Sequence, residues 1–328
     1  MIRKDAQLNS KLFDKDVEQK PTRDGFGTGL VEAGKADGRV VALCADLTES
    51  TRVEWFQKEF PDRYIEIGVA EQNLATVASG LANYGKIPFI TSYSTFSPGR
   101  NNEQIRTTIA INNVPVKIVG CHAGISVGPD GATHQALEDI GLMRMLPRMV
   151  VIVPADSVEA HKATVQAAKT NTPVYIRLGR SNTPIMTTNS TPFEIGKAYR
   201  AWESSEPKVA LIATGALLHE ALKAAKALDE EGIGSVVVNL HTVKPIDAET
   251  IIAGAKQCGR VVTIEEHQVA GGAGSAVAEV LAANHPVPMA FIGVHDQFGQ
   301  SGTPAELIKH YKMDAESITE AARKLING

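Results

Sequence analysis

Cysteine is scarce in this chain: three residues in 328, Cys44, Cys121 and Cys258. They lie far apart, mostly in apolar strand-like contexts. That excludes a disulfide framework or a zinc cluster and predicts buried, reduced thiols of a cytoplasmic protein. An excess of positive charge is also missing. Lys and Arg number 33 against 37 Asp and Glu, for a formal net charge of −4. This leaves no electrostatic footprint for nucleic acid, and no basic block stands out to hold an anionic membrane. No apolar run approaches the ~18 residues that a bilayer span requires. The first residues, MIRKDAQLNSKLFDKDVEQ, are polar and lack the apolar stretch of a secretory signal.

What is present is material for a large core. The chain is 43% hydrophobic and 21% charged, and its length suits about two domains. Short apolar runs alternate with helical patterns in two series. The first holds RVVALCA (39–45), YIEIG (64–68), IPFITSY (87–93), PVKIVGC (115–121), VVIVPA (150–155) and PVYIRL (173–178). The second holds VALIATG (209–215), SVVVNLH (235–241), RVVTIEEH (260–267) and MAFIGVH (289–295). Near-continuous apolar strands separated by helices predict α/β architecture, with a parallel sheet covered on both faces. Between the series, residues 181–206 are polar and rich in Ser, Thr and Pro, as a linker would be. The expected divisions are an N-terminal extension (1–21), a first domain (22–185), a linker (186–206) and a second domain (207–328).

Three familiar patterns fail on context. GISVG (124–128) matches a nucleophile elbow around Ser126, but a loop follows where a helix is required. GLANYGK (80–86) has Ile87 where a phosphate loop needs Ser or Thr, and its glycines end a helix. GGAGSA (271–276) stands four residues beyond its strand, and tight helix–sheet packing explains its glycines better than a dinucleotide does.

Glu71 is harder to set aside. In RYIEIGVAEQN (63–73) a strand runs into a helix with Glu71 at the junction, and small apolar residues follow. A carboxylate there can serve the helix dipole alone. Downstream, however, CHAGISVGPDGATHQALED (121–139) is a long loop after a strand, where α/β enzymes keep their chemistry. It carries His122, Asp130 and His134, without the third ligand that a zinc site needs.

ADLTES, GVAEQN, STF, CHAGISVGPDGATHQ and LGRSN, in this order, resemble the C-terminal two-thirds of transketolase, a thiamine-diphosphate enzyme. The resemblance runs from about Arg23 to the end. It implies a pyrimidine-binding domain followed by a transketolase C-terminal domain. The family's separate diphosphate domain, with GDG and a downstream Asn pair, has no counterpart here. The resemblance therefore implies one subunit of a split enzyme, with Mg2+ and diphosphate held by an N-terminal partner subunit, in an α2β2 heterotetramer.

It also implies roles. Glu71 would face N1′ of the cofactor's aminopyrimidine and hold or share its proton, which favours the imino tautomer. Phe96 would stack on the pyrimidine, with Tyr93 lining the pocket and Asp46 supporting it. Gly99 and Asn102 stand near further aromatic positions of the family and depart from them. Arg23, Ser50, His122 and Arg180 fall where transketolases grip a sugar phosphate, and such a set suits a dianion. Asp130 would recognise a sugar hydroxyl and His134 the donor's end hydroxyl or carbonyl. No metal ligands are assigned to this chain, and His267 and His295 are expected to be structural. The open alternatives are an enzyme for another ketose phosphate, a deoxyxylulose-phosphate synthase, a 2-oxoacid dehydrogenase beta subunit, and a non-catalytic partner-binding homologue.

Overall fold

The computed structural model describes residues 1–328. Its strands are β1 (Gln19–Lys20), β2 (Val40–Cys44), β3 (Tyr64–Glu66), β4 (Ile87–Tyr93), β5 (Lys117–Cys121), β6 (Val150–Ile152), β7 (Val174–Arg177), β8 (Thr183–Pro184), β9 (Tyr199–Glu203), β10 (Pro207–Ala213), β11 (Gly234–Asn239), β12 (Thr242–Lys244), β13 (Val261–Gln268) and β14 (Met289–Val294). Seven form one sheet in the order β12-β6-β7-β5-β4-β2-β3, five form a second in the order β14-β13-β10-β11-β9, and β1 pairs with β8. Every neighbour pair in the first sheet is parallel except β12 on β6. In the second sheet only β9 on β11 is antiparallel.

The apolar strands behave as their pattern requires. On β2, Val41 and Leu43 enter one core, and Val40, Ala42 and Cys44 enter the core on the opposite face. This is the two-residue alternation of a strand buried on both sides. The helix Glu71–Asn83 covers the first face with Leu74, Ala75 and Ala78. The helices Thr22–Ala36 and Ser157–Ala168 cover the second. All three cysteines are buried and unpaired, and no helix is long and apolar enough to cross a membrane.

One expectation needs correction. The stretch read as a linker contains β9, an edge strand of the second sheet, with Ala201 and Trp202 buried. Its polar flanks hide a short apolar signal. The N-terminal extension packs on the second sheet: Leu12 is buried in its core, Ile2 bridges to Trp202, and the Phe13 ring meets Trp202 edge-on at 6.2 Å.

The two halves also interlock. β12 follows β11 in the chain yet completes the first sheet. Asn239 at the end of β11 donates a 2.8 Å hydrogen bond to Glu159 on the helix Ser157–Ala168. Burial pushes the Glu159 carboxyl up to about 8.

Close helix packing sets the entry to the site. A Cβ on Gly25 would lie 1.8 Å from the Ser157 carbonyl oxygen, and one on Gly29 2.8 Å from that of His161. These glycines let two helices touch along their backbones, which fixes Arg23 at the start of the first. Gly25→Val is therefore expected to destabilise the fold by about 3 kcal/mol through overpacking, read as a lower denaturant midpoint with an unchanged slope.

Candidate active site

The site lies at the carboxyl ends of the first sheet's parallel strands. β3 lies to one side of β2 and β4 to the other, so the loops that leave β2 and β4 diverge. Such a crevice is where open α/β sheets bind ligands. Asp46 and Ser50 follow β2, Glu71 follows β3, Phe96 follows β4, His122 follows β5 and Arg180 follows β7. Arg23 enters from the first turn of its helix.

Glu71 opens the helix Glu71–Asn83 without a capping side chain before it, and its own side chain is only 1% exposed. The carboxylate is not left in an apolar setting, as the sequence suggested. One oxygen accepts from Arg100 Nη1 at 2.7 Å and the other from Ser92 Oγ at 3.2 Å. Asn101 Nδ2 donates to the Glu71 carbonyl at 2.9 Å. The guanidinium carbon of Arg100 lies over the Phe96 ring, 4.7 Å from its centroid. A flat conjugated cation thus already lies over Phe96 and donates to Glu71. A flat aminopyrimidine whose N1′ shares the carboxyl's proton fits the same pair of contacts. Arg100, Ser92 and Asn101 were missed in the sequence; the polar SPGRNN run that holds two of them gave the only signal.

Around Phe96 the rings cluster. Tyr93 stacks on His122 at 3.9 Å and lies 6.1 Å from Phe96, and His134 meets Phe96 edge-on at 5.6 Å. Arg23 Nη1 donates to the Ser50 carbonyl at 2.8 Å and stands 3.4 Å from His122 Nε2. Buried Arg23 Nε and His122 Nδ1 have no protein partner. Unpaired buried polar atoms are costly, so each calls for a partner that the chain itself does not supply. Arg180 is half-buried and donates to the Val127 carbonyl at 3.0 Å. Asp130 is exposed at the tip of the loop.

Asp46 is exposed, with φ +57°, and its backbone amide donates to Glu66 Oε1 at 2.8 Å. Glu66 organises this corner, since it also accepts from the Gly68 amide and the Tyr64 hydroxyl. Burial raises the Glu66 carboxyl, but these hydrogen bonds outweigh it and hold the group below its ordinary value.

The rejected motifs stay rejected. Ile125–Val127 is a single 3-10 turn. The helix start at Ala273 is filled by its own sheet, because Glu265 accepts from the amides of Ala273 and Gly274 at 2.7 and 2.8 Å. His267 is buried and bonded to the Gln268 carbonyl. No three His, Cys, Asp or Glu side chains converge to hold a metal. Two surface cavities of about 450 and 440 Å³ open elsewhere, beside Arg200 and beside Trp55, and none of the cluster's residues lines them.

Burial, reinforced by Arg23 and Arg180, lowers His122 to about 3. The imidazole is therefore a neutral hydrogen-bonding group beside the two guanidiniums. Ring nitrogen shifts of labelled protein should show His122 still neutral at about pH 5, where an ordinary histidine is charged.

The pyrimidine-binding domain of transketolase matches residues 18–186 and the transketolase C-terminal domain residues 196–318. An inferred transketolase C-terminal section of Methanocaldococcus jannaschii is 45% identical over 92% of this chain and 95% of that protein. A 6-deoxy-6-sulfo-D-fructose transketolase subunit, SqwH, of Clostridium sp. strain MSTE9 is 40% identical over 95% of this chain and 97% of its own length. Rat transketolase is 37% identical over 99% of this chain, which spans only 51% of that enzyme. A solved structure described as a split gene transketolase, inactive beta4 tetramer, superposes with a TM-score of 0.87 at 43% identity, covering 94% of this chain and 98% of that one. With both domain types present in order, and with relatives matching end to end, the chain belongs to the transketolase family as a C-terminal section.

Proposed function

We propose that this chain is one subunit of a split transketolase that moves a two-carbon ketol unit from a ketose phosphate to an aldose phosphate. The observation that carries this reading is the buried Glu71 carboxyl, paired with the same Arg100 guanidinium that lies over the Phe96 ring. Thiamine diphosphate, when bound, would supply the nucleophilic carbon that the side chains lack. The partner would be an N-terminal subunit that carries the GDG motif and holds Mg2+ and the diphosphate, in an α2β2 assembly. The buried free thiols suit the cytoplasm.

Each side chain then has work to do. Glu71 holds a proton at N1′, and Arg100 leaves the ring's place; being 46% exposed, it can turn into water. Phe96 presents its face to the ring, and Tyr93 packs behind through His122. Arg23 and Arg180 bind the phosphate with charge-assisted hydrogen bonds. Ser50 and neutral His122 add directed polar contacts. Asp130 and His134 meet the sugar's hydroxyls and carbonyl. Asp46 shapes the loop at the cofactor side through its backbone.

A second reading has specific support in SqwH, whose name gives a sulfonated ketose as its substrate. Two guanidiniums accept a sulfonate as they do a phosphate, so the same set could serve a sulfosugar donor. Comparing xylulose 5-phosphate with 6-deoxy-6-sulfofructose as donors, and ribose 5-phosphate as acceptor, decides between them.

The chain reconstituted with its partner, Mg2+ and cofactor should catalyse ketol transfer, and the chain alone should not. Glu71→Gln should lower kcat by about 100- to 10,000-fold, the range of a positioned acid–base group, while leaving assembly intact by sedimentation. Unchanged turnover would remove the enzymatic role of this chain. Arg180→Met should raise KM for the anionic donor by about 10-fold or more, the worth of one charged hydrogen bond.

A further inference from the structure

Two stretches of the second domain have no part in the site as described: EEHQVAGG (265–272) and HDQFGQSGTP (295–304). Both lie against the loop 122–136. That loop needs support, because His122, Gly124, Gly128 and Gly131 all have positive φ, at 55°, 88°, 84° and 72°. So many left-handed positions do not hold one shape by local preference.

The second domain provides the support. The buried Glu266 carboxylate on β13 accepts from the Ser126 amide. A Cβ on Gly124 would lie 2.5 Å from Glu266 Oε1, so the carboxylate fills the space that glycine leaves. Gln135, next to His134, donates to the Gln300 carbonyl at 3.0 Å and to the Ile125 carbonyl at 3.1 Å. A Cβ on Gly299 would lie 1.8 Å from Gln135 Oε1, and one on Gly131 2.7 Å from Ser301 Oγ. Ile125 within the loop and Leu137 just after it are buried in the core of the second sheet. The loop springs from one domain and is packed as part of the other.

We propose that the second domain is the mould for the sugar-binding loop, with Glu266 and the turn 299–301 as positioning elements for His122, Asp130 and His134. This rests on the reading of those three residues as substrate groups. The second domain touches no reacting atom in this account; its contribution to turnover is the shape of a loop that cannot keep that shape alone.

The test is Gly299→Ala, on an exposed turn, together with Glu266→Ala and its conservative partner Glu266→Gln. In the isolated chain, Gly299→Ala and Glu266→Ala should speed hydrogen exchange across the amides of 124–135 by about 10-fold or more, with other core amides unchanged, as for a local opening. In the pair reconstituted with the partner subunit, KM for xylulose 5-phosphate should rise about fivefold or more, with kcat and cofactor affinity within about twofold. Glu266→Gln, which keeps an acceptor for the Ser126 amide, should restore most of both. Unchanged loop exchange overturns the mould, whether or not the pair turns over. Faster exchange with an unaltered KM also overturns it. A wild-type pair with no ketol transfer, combined with faster loop exchange in the variants, sinks the functional reading and leaves the mould standing.

Discussion

A single buried carboxylate constrains this site more than any other group. Removing an ionised carboxylate from water is costly unless charge and hydrogen bonds replace the water. Glu71 gains its replacements from three sources: the start of its own helix, Ser92 at the end of β4, and Arg100 in the segment that follows. Those sources come from both sides of the point where the sheet's strand order diverges. Seating Glu71 therefore also fixes the loop after β4, and with it Phe96. The ring cluster of Phe96, Tyr93, His134 and His122 then connects the acid to the guanidiniums across the crevice. The acid and anion-binding ends are parts of one packed chain of contacts.

Charge is distributed along that chain with a purpose. Arg23 lies within reach of His122 and close enough to Arg52 and Arg180 to be affected by them, and burial followed by these like charges lowers it. The same cations, after burial, keep His122 neutral. Arg52 is held by an ion pair with Asp24 at 2.8 Å.

Most of the fold was legible because it is written in local patterns. The strand IPFITSY and the run VVALC were readable as buried strands since every residue is apolar or small, and the helix after Glu71 followed from its alanines. Glu71, Phe96, Arg23, His122 and His134 were found by motif, and the structure brings them to one crevice. Two kinds of feature were not legible. The strand β9 and the edge strand β12 are short and polar-flanked, and their partners lie far away in the chain, so only tertiary pairing defines them. Arg100 likewise drew no reading from the sequence; its meaning comes from a carboxylate 29 positions earlier.

The crossing of β12 into the first sheet bears on how such a gene can be divided or shuffled. Its sequence suggests a clean joint near residue 195, between two autonomous modules. A product ending there would leave β6 with a bare edge, open to pairing with other chains. A product beginning there would carry an orphan strand, as well as apolar surface shaped for Ile125 and Leu137. Recombination that treats the two halves as interchangeable cassettes should yield insoluble chains, so lineages are expected to inherit this pair of domains as one indivisible unit.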